Sequence, residues 1–138
     1  MVKQRVEAIL RYPEHQLTPE DFVHFVELDE FSDDWQRLGL NLEDDLSALQ
    51  FAIMANPKGC PVIPGTGGLR KLRFAPCRWN AGKSGGVRVC YVYFESHWHV
   101  LLVLVYGKGE QEDLADAEKR AIRKYIRRTE KYLSERNC

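Results

Sequence analysis

At 138 residues the chain is long enough for one domain with a buried core. Apolar residues make up 44% and charged residues 29%, which are the proportions of an ordinary globular protein. The longest apolar run, 100–106, is far shorter than the roughly 20 residues that cross a bilayer, and the first twenty residues lack the pattern of a secretory signal. Four separated cysteines without a C-x-x-C pair favour reduced thiols. We therefore expect a cytoplasmic protein without a membrane partner.

The net charge of zero conceals a segregation of charge along the sequence. Residues 1–56 carry four basic and twelve acidic side chains, whereas 57–108 carry eight basic side chains and a single acidic one, Glu95. Residues 109–138 are nearly balanced, with eight basic and seven acidic side chains. A basic middle third predicts a localised surface for a polyanion. The alternative is scattered, solvated charge, which the near absence of acids in this segment disfavours.

The first predicted elements differ in how clearly the residues define them. Residues 2–12 place apolar side chains at helical spacing until Pro13, so we treat 1–22 as an N-terminal extension with a short helix and 23–138 as the domain. The sequence of 18–30 is compatible with either a helix or a strand. Residues 18–21 are typical of the start of a helix, whereas the β-branched and aromatic residues at 22–26 favour a strand.

The remaining elements follow from changes in periodicity. Two helices are predicted, one around 33–38 that Gly39 closes, and one that Asn41 caps and 56–57 ends. They form a helical hairpin, and the apolar stripe of the second helix consists of Leu42, Leu46, Leu49 and Ile53. Strands are predicted at 69–75, 87–95 and 98–106, and a long C-terminal helix at 114–134 after Asp113. This order predicts an α+β domain.

Two short motifs suggest chemistry that their surroundings do not support. Residues 81–84 contain the G-K-S of a phosphate-binding loop, but Cys77 stands where the first glycine is needed, and a strand rather than a helix follows. His97 and His99 have the spacing of two metal ligands on one strand face, but no third ligand supports them. Solvated histidines are therefore favoured, and neither a metal nor a small-molecule cofactor is expected.

Basic residues recur near the ends of the predicted strands. Lys71 and Arg73 share one face of their strand, roughly 6.6 Å apart along the chain. A glycine-rich loop leads into Arg88, and Tyr106 and Lys108 close the last strand. Each of these residues alone is an ordinary exposed side chain. Their convergence from three strands predicts a phosphate-binding surface.

Three segments carry a resemblance to a known family: GTGGLRKLRF at 65–74, GKSGGVRVCY at 82–91 and LLVLVYGKGEQEDL at 101–114. With the terminal helix, they resemble the HigB-like branch of the RelE/ParE toxin superfamily over about residues 23–134. The resemblance implies a small, antiparallel-rich sheet of about four strands, with the N-terminal helical hairpin on one face and a cleft on the other. It also implies that 25–28 form the first strand.

The resemblance further implies a function: the toxin of a type II toxin–antitoxin system. Such a toxin is a metal-independent endoribonuclease, or mRNA interferase, that cleaves mRNA on the ribosome, inhibits translation and is held by a cognate antitoxin. The residues that the resemblance makes catalytic are Lys71, Arg73, Arg88 and Tyr106. Those that it makes RNA-binding are Arg70, Arg78, Lys83 and Lys108. Some relatives have a catalytic tyrosine after the last strand, but 109–115 contains none here. Tyr106 would therefore fill this role from a different position in the sequence.

The mechanism implied is attack by a 2′-hydroxyl on the neighbouring phosphate. Arg73 and Arg88 are expected to hold the phosphate oxygens as charge builds up. Lys71, which neighbouring cations would help to deprotonate, and Tyr106 are both candidates for the base. Two alternatives remain open, a ParE-like inhibitor of DNA gyrase and a non-catalytic nucleic-acid-binding module.

Overall fold

The computed structural model describes residues 23–79, 85–110 and 113–136; the predicted helix at 2–12 and Lys83 lie outside these ranges. The described residues form an α+β domain whose three helices include a long C-terminal one, so the predicted fold class is confirmed at that level. The elements in chain order are β1 (His24–Glu27), α1 (Asp29–Arg37), α2 (Asp44–Ala55), β2 (Leu69–Phe74), β3 (Val87–Phe94), β4 (His99–Gly107) and α3 (Asp116–Arg136).

The four strands form one mixed sheet in the order β1-β4-β3-β2. β2 pairs with β3 and β3 with β4 in antiparallel orientation, whereas β1 pairs with β4 in parallel. The ambiguous segment 18–30 therefore contains a strand at 24–27. A strand this short gains its stability from pairing with β4, which the local sequence does not reveal.

The sheet carries a separate apolar cluster on each face. One cluster joins the sheet to α1 and α2, and we call that side the helix-pair face; its fully buried members include Phe31, Trp35, Leu49 and Leu102. The other cluster joins the sheet to α3, and we call that side the α3 face; its buried members are Leu69, Cys90, Val92, Phe94, Leu101, Ile126 and Leu133. The apolar character of β4 on both faces follows from this double cover. Among the described residues, no helix combines the length and apolarity needed to cross a membrane.

The start of α2 shows capping by Asn41. Its Oδ1 accepts the N–H groups of Glu43 at 3.1 Å and Asp45 at 2.9 Å, while Asp45 Oδ2 accepts the N–H of Asn41 at 2.8 Å. These bonds satisfy N–H groups that a helix start leaves without partners. The predicted stripe was wrong in one position, since Leu42 is 41% exposed. It precedes the helix, which begins at Asp44.

Candidate anion-binding site

Three of the predicted site residues lie side by side on adjacent strands. Arg73 of β2 is the direct partner of Arg88 of β3, and Arg88 is the direct partner of Tyr106 of β4. Directly paired residues in antiparallel strands point to the same face, with Cα atoms roughly 4.5–5.5 Å apart. Arg73, Arg88 and Tyr106 therefore form one row across the α3 face, which we call the basic row.

Lys71 joins the basic row from two residues earlier on β2. It is exposed, and its partner on β3 is Cys90, which is 1% exposed and belongs to the apolar cluster of the α3 face. Side chains at i and i+2 of a strand share a face. The sheet thus brings together Lys71, Arg73, Arg88 and Tyr106. For Lys71 and Arg73, the spacing along the sequence alone predicted a common face.

Two local irregularities shape the strands around the basic row. The register between β3 and β4 shifts between Cys90 and Tyr91, so Val103 is an extra residue on β4. Such bulges bend a strand and re-aim its side chains. At the start of β3, a side chain in place of Gly86 would collide with the carbonyl oxygen of Phe74. Glycine at this position lets the backbone of the loop close against β2 and bring Arg88 into register.

The basic row places like charges next to each other. Within the described parts of the chain, no carboxylate forms an ion pair with Lys71, Arg73 or Arg88. Like charges directly opposite each other in a sheet are destabilising. A bound phosphate would relieve this repulsion, so the arrangement favours an anion.

Arg88 is held in position by the backbone beside it. Its Nη1 donates to the carbonyl oxygen of Gly86 at 3.0 Å, and the side chain is half-buried. This bond uses one of the five N–H donors of the guanidinium group and leaves a fork free for two phosphate oxygens.

The surroundings of Tyr106 favour the protonated form of its phenol. Burial, the neighbouring Cys90 thiol and the charge of Asp113 together raise the pKa of its phenol to about 12, although Arg88 opposes the shift. Burial also raises the pKa of Cys90 to about 11. The Cys90 thiol and the Tyr106 phenol are close enough for each to influence the pKa of the other. The phenol can therefore donate a proton or a hydrogen bond to a phosphate oxygen, whereas its deprotonation to a base is strongly disfavoured.

Arg70 and Arg78, predicted to contact RNA, are bound to other parts of the protein. Arg70 is the neighbour of Lys71 on β2, so its side chain points to the opposite face of the sheet from the basic row. Its Nη1 donates to the carbonyl oxygens of Lys58, at 3.1 Å, and of Cys60. Arg78 forms an ion pair with both carboxylate oxygens of Asp45, at 2.7 Å for Nη2–Oδ2, and lowers the pKa of that carboxyl.

The last predicted residues lie at the margin of the site or outside it. Lys108 is exposed in the turn that directly follows β4, and Lys83 lies outside the described residues. His97 lies in a 3-10 turn with its Nε2 3.1 Å from Glu130 Oε1, and its carbonyl oxygen lies 2.6 Å from Nδ1 of His99. In residues 23–79, 85–110 and 113–136 no group of three or more His, Cys, Asp or Glu side chains is arranged to hold a metal ion.

Sequence reasoning missed Cys90, which lies opposite Lys71 on the neighbouring strand. The signal was present, because Cys90 is two residues after Arg88 on the same strand and so shares its face. Searched against protein-family models, the chain has no match.

Proposed function

We propose that this chain is a metal-independent endoribonuclease that cleaves mRNA, and that it acts as the toxin of a type II toxin–antitoxin system. One observation carries the proposal: Lys71, Arg73, Arg88 and Tyr106 share one sheet face, and no carboxylate in the part of the chain that the structure describes forms an ion pair with the three cations. The resemblance of 65–114 to HigB-like toxins of the RelE/ParE superfamily gives the reaction class. The fold proposed is accordingly RelE/ParE-like, with α1 and α2 as its helical hairpin.

In the proposed reaction, the 2′-hydroxyl of one nucleotide attacks its own 3′-phosphate. The bond to the 5′-oxygen of the next nucleotide breaks, which leaves a 2′,3′-cyclic phosphate and a 5′-hydroxyl. Arg73 and Arg88 bind the non-bridging oxygens and stabilise the charge that develops on them. These cations supply the electrostatic stabilisation for which other nucleases use a metal.

The proton transfers are divided between two side chains. A phenol with a pKa of about 12 is a poor base at neutral pH, so Tyr106 is assigned as the acid that protonates the leaving 5′-oxygen. Lys71 is then the candidate for the base that accepts the 2′-proton. Lys108, exposed beside the end of β4, is proposed to bind the RNA backbone. In this proposal Arg70 and Arg78 support the fold.

The proposed partners follow from the same surface. The substrate is mRNA held in the ribosome, which supplies much of the positioning of the codon. The antitoxin is proposed to cover the basic row with acidic residues, and the compartment is the cytoplasm.

The test is to add the purified full chain to ribosomes programmed with a defined mRNA and to map 5′ ends. We expect cuts in codon register with 5′-hydroxyl ends. The double variant Arg73→Ala, Arg88→Ala should lose cleavage by about a hundredfold or more, since each donor to the developing charge contributes about 10²–10³. Lys124→Ala, an exposed cation on α3, is the matched control. Full cleavage by the double variant, or intact mRNA together with inhibition of gyrase, would refute the proposal.

A further inference from the structure

A groove of about 410 Å³ lies between β1, at one edge of the sheet, and α3. Val26, Leu101 and Leu133 give it an apolar lining, and Tyr125 and Tyr132 stand at its rim, 43% and 60% exposed. Its volume is within the range of sites that bind ligands or peptide side chains. None of the residues of the basic row lines it, so it is a separate surface.

The charge of this groove has a single sign. Arg128 and Arg136 of α3 and the imidazoles of His24 and His99 line it, and among the described residues none that lines it is acidic. Neither arginine has an ion-pair partner in the described ranges. An occupant that complements this lining has both apolar side chains and carboxylates.

The backbone of β1 beside the groove is open on one side. The N–H groups of His24 and Leu28 donate to carbonyl oxygens of the β4 segment at 2.8 and 3.1 Å. Since backbone groups alternate between the two edges of a strand, the N–H and C=O groups of Phe25 and Glu27 point away from β4. No residue of the described ranges forms a backbone hydrogen bond with them. Such an edge is a template for a further strand.

We propose that β1 and the groove together bind an acidic, extended segment of a partner protein. The segment pairs with the open edge of β1 through its backbone, places alternate apolar side chains against Val26 and Tyr132, and directs carboxylates to Arg128 and Arg136. An RNA strand matches this surface less well, because it has no regular row of amide N–H and C=O groups to pair with the edge. The inference goes beyond the proposed nuclease function and stands or fails independently of it.

The experiment is selection of random displayed peptides on the full chain, followed by binding measurements with the strongest synthetic peptide. We expect selected peptides to carry aliphatic or aromatic residues at every second position, together with Asp or Glu. The double variant Arg128→Glu, Arg136→Glu should weaken binding by at least about tenfold, because two complementary charges are reversed. Lys124→Glu, on the same helix but outside the groove, should change it by less than about twofold. Circular dichroism checks that both variants fold.

Amide hydrogen exchange gives a readout specific to strand addition. Binding should slow exchange at Phe25 and Glu27 and leave that of β2, the opposite edge strand, unchanged. The proposal is overturned if the selection yields no peptide, if charge reversal has no effect, or if the two amides exchange at the same rate with peptide bound. It is also overturned if these amides are already protected in the free protein, since the chain itself or a second copy then covers the edge. Displacement of the peptide by single-stranded RNA that depends on Arg128 and Arg136 would make the groove an RNA site instead.

Discussion

Replacing Arg78 by alanine should destabilise the protein without affecting RNA cleavage. The Asp45 side chain is 5% exposed and depends on Arg78 for a two-pronged ion pair, whereas the Arg78 side chain is 49% exposed. Arg78 also donates to the carbonyl oxygen of Gly39 at 3.0 Å. Hydrogen bonds to charged groups contribute about 1.5–3 kcal/mol each. Arg78→Ala leaves the buried Asp45 carboxylate without its ion-pair partner, so we expect the free energy of unfolding to fall. Because the Arg78 side chain is half-exposed, water replaces part of the lost contact and keeps the loss near the lower end of that range.

Urea unfolding followed by tryptophan fluorescence measures this loss as a shift of the midpoint at constant slope. A double-mutant cycle with Asp45→Asn isolates the pair, and we expect a coupling energy of about 1 kcal/mol. Ribosome-dependent cleavage, measured well below the unfolding midpoint, should equal that of the unaltered protein. An unchanged unfolding free energy combined with weaker cleavage would show that Arg78 contacts RNA, and the reasoning from its ion pair would be wrong.

Three further predictions follow from burial and contact. The pKa of Asp45 lies below its usual value of 3.8 in the folded state, so the carboxylate contributes to stability above about pH 4, and this contribution is lost as the pH falls further. Between pH 5 and pH 3, the free energy of unfolding in urea should therefore fall less for Asp45→Asn than for the unaltered protein, and equal losses would contradict this. Exposed Cys77 should react readily with a thiol reagent, whereas buried Cys90, with its pKa raised to about 11, should react only after unfolding, as peptide mapping of the labelled protein would reveal. Gly86→Ala should lower the free energy of unfolding by about 1–3 kcal/mol, because the added methyl group meets the Phe74 carbonyl; a midpoint unchanged in urea would refute the close approach.

The strands and the last helix could be predicted closely from local patterns. Strands predicted at 69–75, 87–95 and 98–106 lie at Leu69–Phe74, Val87–Phe94 and His99–Gly107, and the predicted helix at 114–134 is Asp116–Arg136. The positions of α1 and β1 were less accurate. α1 begins at Asp29 rather than at 33, because Phe31 and Trp35 are both buried and stack at 5.6 Å. That contact depends on packing against the sheet, which the local sequence does not encode.

The convergence of basic residues from three strands was predicted, but local spacing fixes their relative positions only where they share a strand. Lys71 and Arg73 are two residues apart, so their common face follows from strand geometry. The alignment of Arg73, Arg88 and Tyr106 depends on the order of the strands and on the register shift after Cys90, neither of which the spacing reveals. The structural partner of Arg78 is 33 residues away along the chain. The local sequence around Arg78 therefore gives no sign of the ion pair that the structure contains.

The parallel pairing of β1 with β4 has a consequence for synthesis of the protein. His24 pairs with His99, so β1, the first of the described strands to leave the ribosome, has no partner until β4, the last of them, has been translated. At about 5–20 residues per second, this leaves β1 exposed for several seconds. The hairpin of β3 and β4 closes over a short turn and forms early by comparison. A nascent chain would therefore assemble the strands that carry the four proposed catalytic residues before the edge strand docks, which makes β1 the last part of the sheet to become ordered.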